Sequence, residues 1–115
     1  MKTSAMYYHT RIDFTALKET EKAVLIKLKH VEDYRVLDLL NHYGKDVMEP
    51  IELWLPKSWL RLTGKDEIWV WRKGFMTNLE KLAEKRLAHR QKIKNKETKF
   101  LVNMDTIIPE GETIH

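Results

Sequence analysis

The chain lacks cysteine and has little glycine or proline, and these shortages exclude several classes of protein. Its 115 residues include no cysteines, four glycines and three prolines. Without cysteine there can be no disulfide framework, thiolate metal site or cysteine nucleophile. So little glycine and proline argues against a disordered or low-complexity chain. The hydrophobic content of 43% suffices for a real core. We predict a single domain over residues 1–108 and a C-terminal tail over residues 109–115.

Long apolar runs are missing as well. No stretch of about 18 apolar residues occurs, so no transmembrane helix is expected. Residues 1–5 lead into a polar segment and lack the apolar run of a signal peptide. We therefore expect a cytoplasmic protein that has no membrane partner.

No sequence motif indicates an enzyme. The chain has no glycine-rich phosphate loop, no nucleophile elbow and no HExxH motif. None of the five histidines stands at a metal-binding spacing from another. Asp38 and His42 would lie one turn apart on a helix, close to Asp46, but such side chains are usually solvated. We predict a non-catalytic protein with no metal and no cofactor.

Residue periodicity predicts an α+β fold. Residues 8, 10, 12 and 14 alternate with more polar neighbours, which indicates a strand, and the apolar run over residues 23–26 indicates a buried strand. Further strands are predicted over residues 51–55, where Pro56 ends the strand or places it at a sheet edge, and over residues 67–71. Residues 100–102 and 106–108 could supply a last strand.

Two helices complete the predicted architecture. Tyr34, Leu37 and Leu40 recur at three-residue steps before Gly44, which indicates a short inserted helix. Residues 77–80 read Thr-Asn-Leu-Glu, a capping box that predicts a longer basic helix from residue 78 to about residue 96. Its apolar stripe fades after residue 88, so we expect its first half to dock and its second half to project. The elements predict a small, mostly antiparallel sheet of four to five strands, which could curl into a barrel.

Positive charge is concentrated in one part of the chain. Residues 61–99 hold 12 basic and five acidic residues, whereas residues 1–60 hold nine of each. No glutamate precedes a lysine or arginine by four residues in the predicted basic helix, so the favourable order of charge pairing is absent. A basic helix of this kind suits an anionic partner, and it equally suits a solvated helix face.

All four tryptophans lie between residues 54 and 71, among lysines and arginines. Trp69 and Trp71 are two residues apart and share one face of their strand, with Ile68 and Val70 on the other. If Ile68 and Val70 face the core, the two indoles lie outside and could stack nucleic-acid bases. In the opposite arrangement the indoles form core, the commoner environment of tryptophan.

Two segments resemble a pattern in small bacteriophage and prophage proteins. Residues 20–26 read TEKAVLI and residues 53–58 read LWLPKS. They are similar to the "TEKAxLV" and "VWIPKS" strands of a largely uncharacterised group. The resemblance covers about a third of the chain and implies a phage context and a compact β unit that contains both strands. This chain departs from the pattern by the insertion of residues 30–50 and by its basic helix.

These observations predict a small phage-related module that binds single-stranded DNA or RNA, or a nucleoprotein complex. Aromatic rings would stack on bases while lysine and arginine neutralise phosphates. The predicted binding residues are Trp69, Trp71, Arg72, Lys73, Lys85, Arg86, Arg90 and Lys92. The alternative is a phage-encoded inhibitor or adaptor that binds a host protein through the inserted helix, with Tyr34 and Tyr43, or through the basic helix. Self-association through the basic helix is a third option.

Overall fold

The computed structural model describes residues 7–110, and it describes side chains for residues 7–94. Its elements, in chain order, are β1 (His9–Glu19), β2 (Ala23–Val31), α1 (Tyr34–Tyr43), α2 (Lys45–Met48), β3 (Glu52–Pro56), a 3-10 turn (Lys57–Trp59), β4 (Leu60–Leu62), β5 (Ile68–Trp71) and α3 (Arg72–Glu110). By Cα packing the chain divides into two units, Met1–Ala83 and Glu84–His115. The α+β prediction is confirmed.

The five strands form one antiparallel sheet in the order β3-β2-β1-β5-β4. The long β1–β2 hairpin is its centre. Strand β3 pairs with the turn end of β2, and β5 pairs with the start of β1. The sheet is open, so the suggested barrel does not form within the described residues. Strand β3 lies at an edge and ends at Pro56, as the proline predicts.

The core lies on one face of the sheet. Alternate residues of β1 point into it: Thr10 and Ile12 are almost fully buried, and Phe14 packs against the core. This confirms the predicted alternation for residues 10, 12 and 14, whereas Tyr8 precedes β1 and is 62% exposed. The helices cover this face with side chains at helical spacing: Val36, Phe75, Leu79 and Ala83 are fully buried.

Helix α1 begins and ends at residues that suit each terminus. Asp33 is the N-cap, and its carboxylate accepts a hydrogen bond from the Arg35 amide at 2.9 Å. Gly44 follows the last turn with φ +88°, a backbone conformation that disfavours side chains with a Cβ. Its N–H donates to the carbonyl of Leu40. The prediction of a short inserted helix is confirmed.

The predicted start of the basic helix is wrong. Helix α3 begins at Arg72, directly after β5, and the threonine of the supposed capping box lies inside it. The Thr77 hydroxyl donates instead to the carbonyl of Lys73, one turn back, at 2.8 Å. The Arg72 amide, one of those that helix geometry leaves without a partner, donates to the carbonyl of Tyr8 at 2.9 Å. A tertiary contact therefore sets this terminus, and a local motif does not.

The predicted last strand is also wrong, because α3 continues to Glu110. Phe100, Met104 and Ile107 follow one another at four- and three-residue steps, which fit a helical period better than a strand. The end predicted at about residue 96 is therefore replaced by a helix that runs through the supposed strand. Of the predicted tail, residues 109 and 110 belong to α3 and residues 111–115 lie outside the described part of the chain.

One ion pair connects the starts of α1 and α3. The Arg72 Nε donates to a carboxylate oxygen of Asp33 at 2.8 Å, and the two side chains are only 18% and 10% exposed. The other side of the guanidinium donates to the carbonyls of Tyr7 and His9 at 3.1 and 3.0 Å. Arg72 therefore holds the first residues of β1 against both helices.

The environment of Asp33 changes its acidity. Burial raises the pKa of this carboxyl, but hydrogen bonds from the Arg35 amide and the side chains of Arg72 and Thr10, together with the Arg72 charge, more than offset burial. The net result is a pKa below the ordinary value of 3.8. The folded state therefore favours the ionised carboxylate.

Replacing Asp33 should destabilise the fold. We expect Asp33→Ala to lower the free energy of unfolding by roughly 3 kcal/mol, because the α1 cap is lost and the Arg72 charge keeps no carboxylate partner in a mostly buried position. Urea denaturation at neutral pH measures this change. Asp38→Ala, at an exposed position of the same helix, is the matched control, with an expected change within about 0.5 kcal/mol. Equal changes in the two variants would contradict the structural role.

The same carboxylate should make stability depend on pH in the acid range. Because the folded pKa of Asp33 is lowered, its contribution is complete above the unfolded value of about 4 and is lost as pH falls through the folded pKa. Asp33→Asn retains a cap acceptor but does not ionise. The stability difference between the wild type and this variant should therefore be constant from about pH 5 to 7 and shrink below about pH 4. A difference that persists unchanged into acid would rule this out.

Candidate nucleic-acid interface

The two tryptophans of β5, Trp69 and Trp71, lie on the sheet face opposite the core. Val70, between them, is fully buried, so the alternation of the strand turns Trp69 and Trp71 away from the core. Trp71 is 37% exposed and Trp69 is partly buried. Neither indole is sequestered, and neither is freely solvated.

Strand pairing places an arginine on each side of Trp69. Trp69 is directly opposite Arg11 on β1 and Arg61 on β4. Directly opposed residues of antiparallel strands project from the same face, so these side chains form a row across three strands. We call Arg11, Trp69 and Arg61 the Arg–Trp–Arg row. It places two cations beside one aromatic ring, on the face that the core does not use.

Glu67 organises one side of the row. One of its carboxylate oxygens accepts a hydrogen bond from the Trp69 indole N–H at 3.3 Å, and the other accepts from the Arg11 guanidinium at 3.1 Å. Both contacts are partly buried, so they limit the rotamers available to the indole and to Arg11. On the other side, the Arg61 guanidinium donates to the carbonyls of Ser58 and Leu60 at 2.7 and 2.8 Å. The row is therefore held in place before any ligand binds.

Trp71 has a more structural environment than Trp69. Its ring meets Trp59 edge to face, with centroids 5.4 Å apart and an interplanar angle of 72°. The first turn of α3 passes directly beside this pair at Gly74. A Cβ at Gly74 would lie 2.6 Å from a ring atom of Trp71 and 2.7 Å from one of Trp59. The Trp59–Trp71 pair therefore packs closely against Gly74 of α3.

The cations that follow Trp71 in the sequence have different roles. Arg72 is committed to the Asp33 ion pair and to the carbonyls of β1, so its guanidinium already has several protein partners. Lys73 is exposed. Arg72 and Lys73 both follow the indoles in sequence, but only Lys73 is exposed to solvent. We therefore leave Arg72 out of the proposed surface.

The other predicted binding residues belong to the second unit. Lys85, Arg90 and Lys92 are exposed and Arg86 is partly buried. Leu87, the last residue of the predicted apolar stripe, is 40% exposed, whereas Leu79 and Ala83 in the first unit are fully buried. The first turns of α3 are therefore docked in the core, and the helix surface from residue 84 to residue 94 is mainly cationic and exposed.

Sequence reasoning missed Arg11, Arg61 and Glu67. The alternation of β1 places Arg11 on the face away from the core, which is half of the information needed. The other half is the pairing of β5 with β1, a distant segment, and with β4, its neighbour across residues 63–67. No local signal specifies the β1–β5 register, whereas the turn residues Gly64, Lys65 and Asp66 are a local signal for the β4–β5 hairpin that brings Arg61 to Trp69.

Two other features, a metal site and a membrane-spanning helix, are absent from the described part of the chain. Among residues 7–94, whose side chains the structure describes, no three or more His, Cys, Asp or Glu side chains form a group that could hold a metal ion. Over that part of the chain, no helix combines the length and apolar character that crossing a membrane requires. In comparisons with protein-family models, curated proteins and solved structures, none matched this chain. The phage resemblance therefore stays a prediction.

Gly74→Ala should destabilise the protein although alanine is the better helix former. The new methyl group would press on both indoles, and crowding of this kind costs about 1–3 kcal/mol, against a gain of about 1 kcal/mol in helix propensity. We expect a net loss of stability and a shift of tryptophan fluorescence, measured by chemical denaturation and emission spectra. Gly64→Ala is the control, since a Cβ there has no atom within 4 Å. A Gly74→Ala protein as stable as wild type, with the same emission, would contradict this packing.

Proposed function

We propose that this protein is a non-catalytic binding module for single-stranded nucleic acid or a nucleoprotein complex, acting in the cytoplasm in a phage-related context. The observation that carries the proposal is the Arg–Trp–Arg row, in which Trp69 lies between Arg11 and Arg61 on the face opposite the core. A base can stack on the Trp69 indole while the Arg61 guanidinium neutralises a flanking phosphate, whereas the charge of Arg11 is already paired with Glu67.

The exposed cations of α3 supply the second part of the proposal. Lys85, Arg90 and Lys92 present positive charge on the second unit, and Arg86 adds to it. Phosphate contacts of this kind raise affinity without reading sequence, because every nucleotide carries the same charge. The expected ligand is therefore a single strand bound with little base preference, with stacking at Trp69 and charge neutralisation by arginine and lysine.

Binding should weaken steeply as salt is added. If the four cations of α3 each neutralise one phosphate of a single strand, affinity should fall roughly fiftyfold between about 50 and about 200 mM salt. Fluorescence anisotropy with labelled oligo(dT) and oligo(U) measures this dependence. Lys85→Ala/Lys92→Ala should reduce both the affinity and the salt slope. Lys18→Ala/Lys22→Ala, which removes two exposed lysines near the β1–β2 turn, is the charge-matched control.

The indole contribution is tested separately from charge. Trp69→Ala should weaken binding about tenfold at every salt concentration, since one stacked base contributes about 1–3 kcal/mol. Trp54→Ala removes an indole that is 44% exposed on edge strand β3 and should leave binding unchanged. Thermal unfolding of each variant shows that it is folded. Absence of wild-type binding to either oligonucleotide at low salt would reject the proposal.

A further inference from the structure

Glu67 is an acidic residue in the middle of the proposed nucleic-acid surface, and its position is closely fixed. Its backbone N–H donates to the Thr63 hydroxyl at 3.2 Å, and its carbonyl accepts from the Thr63 amide at 2.9 Å. One carboxylate oxygen accepts from the Trp69 indole and the other from Arg11. The carboxylate is therefore held beside the ring on which a base would stack.

The charges around Glu67 do not favour a phosphate. The carboxylate pairs with Arg11, and Asp13 lies two residues further along β1 on the same face. The adjacent turn adds one cation and one anion, since Lys65 and Asp66 are both exposed. Two cations against three anions leave this end of the Arg–Trp–Arg row without net positive charge, so a phosphate is disfavoured there.

The opposite end of the row has a different character. Arg61 is exposed, and its two hydrogen bonds to backbone carbonyls both use Nη1. A guanidinium carries further N–H donors, which suit the oxygens of a phosphate. The row therefore has a phosphate-binding end at Arg61 and a hydrogen-bond acceptor at Glu67, with the Trp69 ring between them.

The carboxylate of Glu67 has room for another donor. An ionised carboxylate has about four acceptor positions on its two oxygens, and the contacts with Trp69 and Arg11 use one on each oxygen. The side chain is 30% exposed, so a ligand can reach it. A nucleotide stacked on Trp69 offers N–H groups that differ from base to base and, in RNA, a 2′-hydroxyl that is the same in every nucleotide. Only the hydroxyl suits a site with little base preference.

We infer that Glu67 accepts a hydrogen bond from the 2′-hydroxyl of the nucleotide stacked on Trp69, so that the row selects single-stranded RNA over single-stranded DNA. This preference for RNA rests on the proposed function and narrows its ligand. The phosphate of the same nucleotide binds Arg61, since the carboxylate at the other end repels it. A deoxyribose presents a C–H group to the carboxylate, so the repulsion stays and no hydrogen bond offsets it.

Three oligonucleotides with the same base separate the hydroxyl from the other properties of the sugar. Oligo(U), oligo(dU) and 2′-fluoro-oligo(U) differ at the 2′ position, and the fluoro sugar keeps the pucker of ribose without a donor. In anisotropy titrations, we expect the wild type to bind oligo(U) about tenfold more tightly than either analogue. Tenfold corresponds to about 1.4 kcal/mol, close to the contribution of one hydrogen bond to a charged group.

Two variants test the carboxylate. Glu67→Ala should bring the three affinities within about twofold of one another, and Glu67→Gln, which keeps the side-chain length without the charge, should reduce the preference to about threefold or less. Loss of Trp69 positioning alone would weaken the three ligands equally, so the ratio of affinities separates the two roles of Glu67. Glu21→Ala, at an exposed position of the β1–β2 turn, is the control and should keep the preference. Thermal unfolding shows that each variant is folded.

Several results would overturn the preference for RNA and leave the proposed function intact. Equal binding of oligo(U) and 2′-fluoro-oligo(U) would assign any preference to sugar pucker, and a preference that survives Glu67→Ala would assign it to other residues. A Glu67-dependent preference for oligo(dC) over oligo(dU) would assign the carboxylate to a base amino group. Absence of binding to all four oligonucleotides would instead reject the proposed function, and the preference with it.

Discussion

The Asp33–Arg72 ion pair is the constraint on which the rest of this structure depends. Asp33 caps α1 and Arg72 is the first residue of α3, so their 2.8 Å contact fixes the starts of two helices relative to each other. The same guanidinium binds the carbonyls of Tyr7 and His9, which anchors the first residues of β1. With so many hydrogen bonds to the two charges, the cost of desolvating them is offset, and loss of either partner would leave the other mostly buried.

Because this contact starts α3 directly after β5, there is no loop between the strand and the helix. The last strand residue, Trp71, therefore lies against the first helical turn, where only a glycine leaves room for it and for Trp59. Trp71 is partly used as structure for this reason. Trp69, two residues earlier, is placed by strand register between Arg11 and Arg61, and its indole N–H donates to Glu67. The start of α3 directly after β5 thus gives Trp71 a packing role and leaves Trp69 as a candidate ligand-binding residue.

The Arg–Trp–Arg row is a product of strand register. It offers a ring and guanidinium groups on a sheet face, which suits stacked bases and phosphates. Strand β5 pairs with the start of β1 on one side and with β4 on the other, so residues from three strands meet on one face.

The sequence by itself determined the α+β class, the alternation of β1, the end of α1 at Gly44 and the concentration of positive charge after residue 60, because each depends on neighbouring residues. Period, caps and composition act locally. Only the tertiary structure decided where α3 begins, because Tyr8 and Asp33 replace the local cap at Thr77. It alone brought Arg11 to Trp69, since a strand pattern specifies which face a residue occupies but not which distant strand lies beside it. Long-range register, which no short segment encodes, therefore assembles the candidate site.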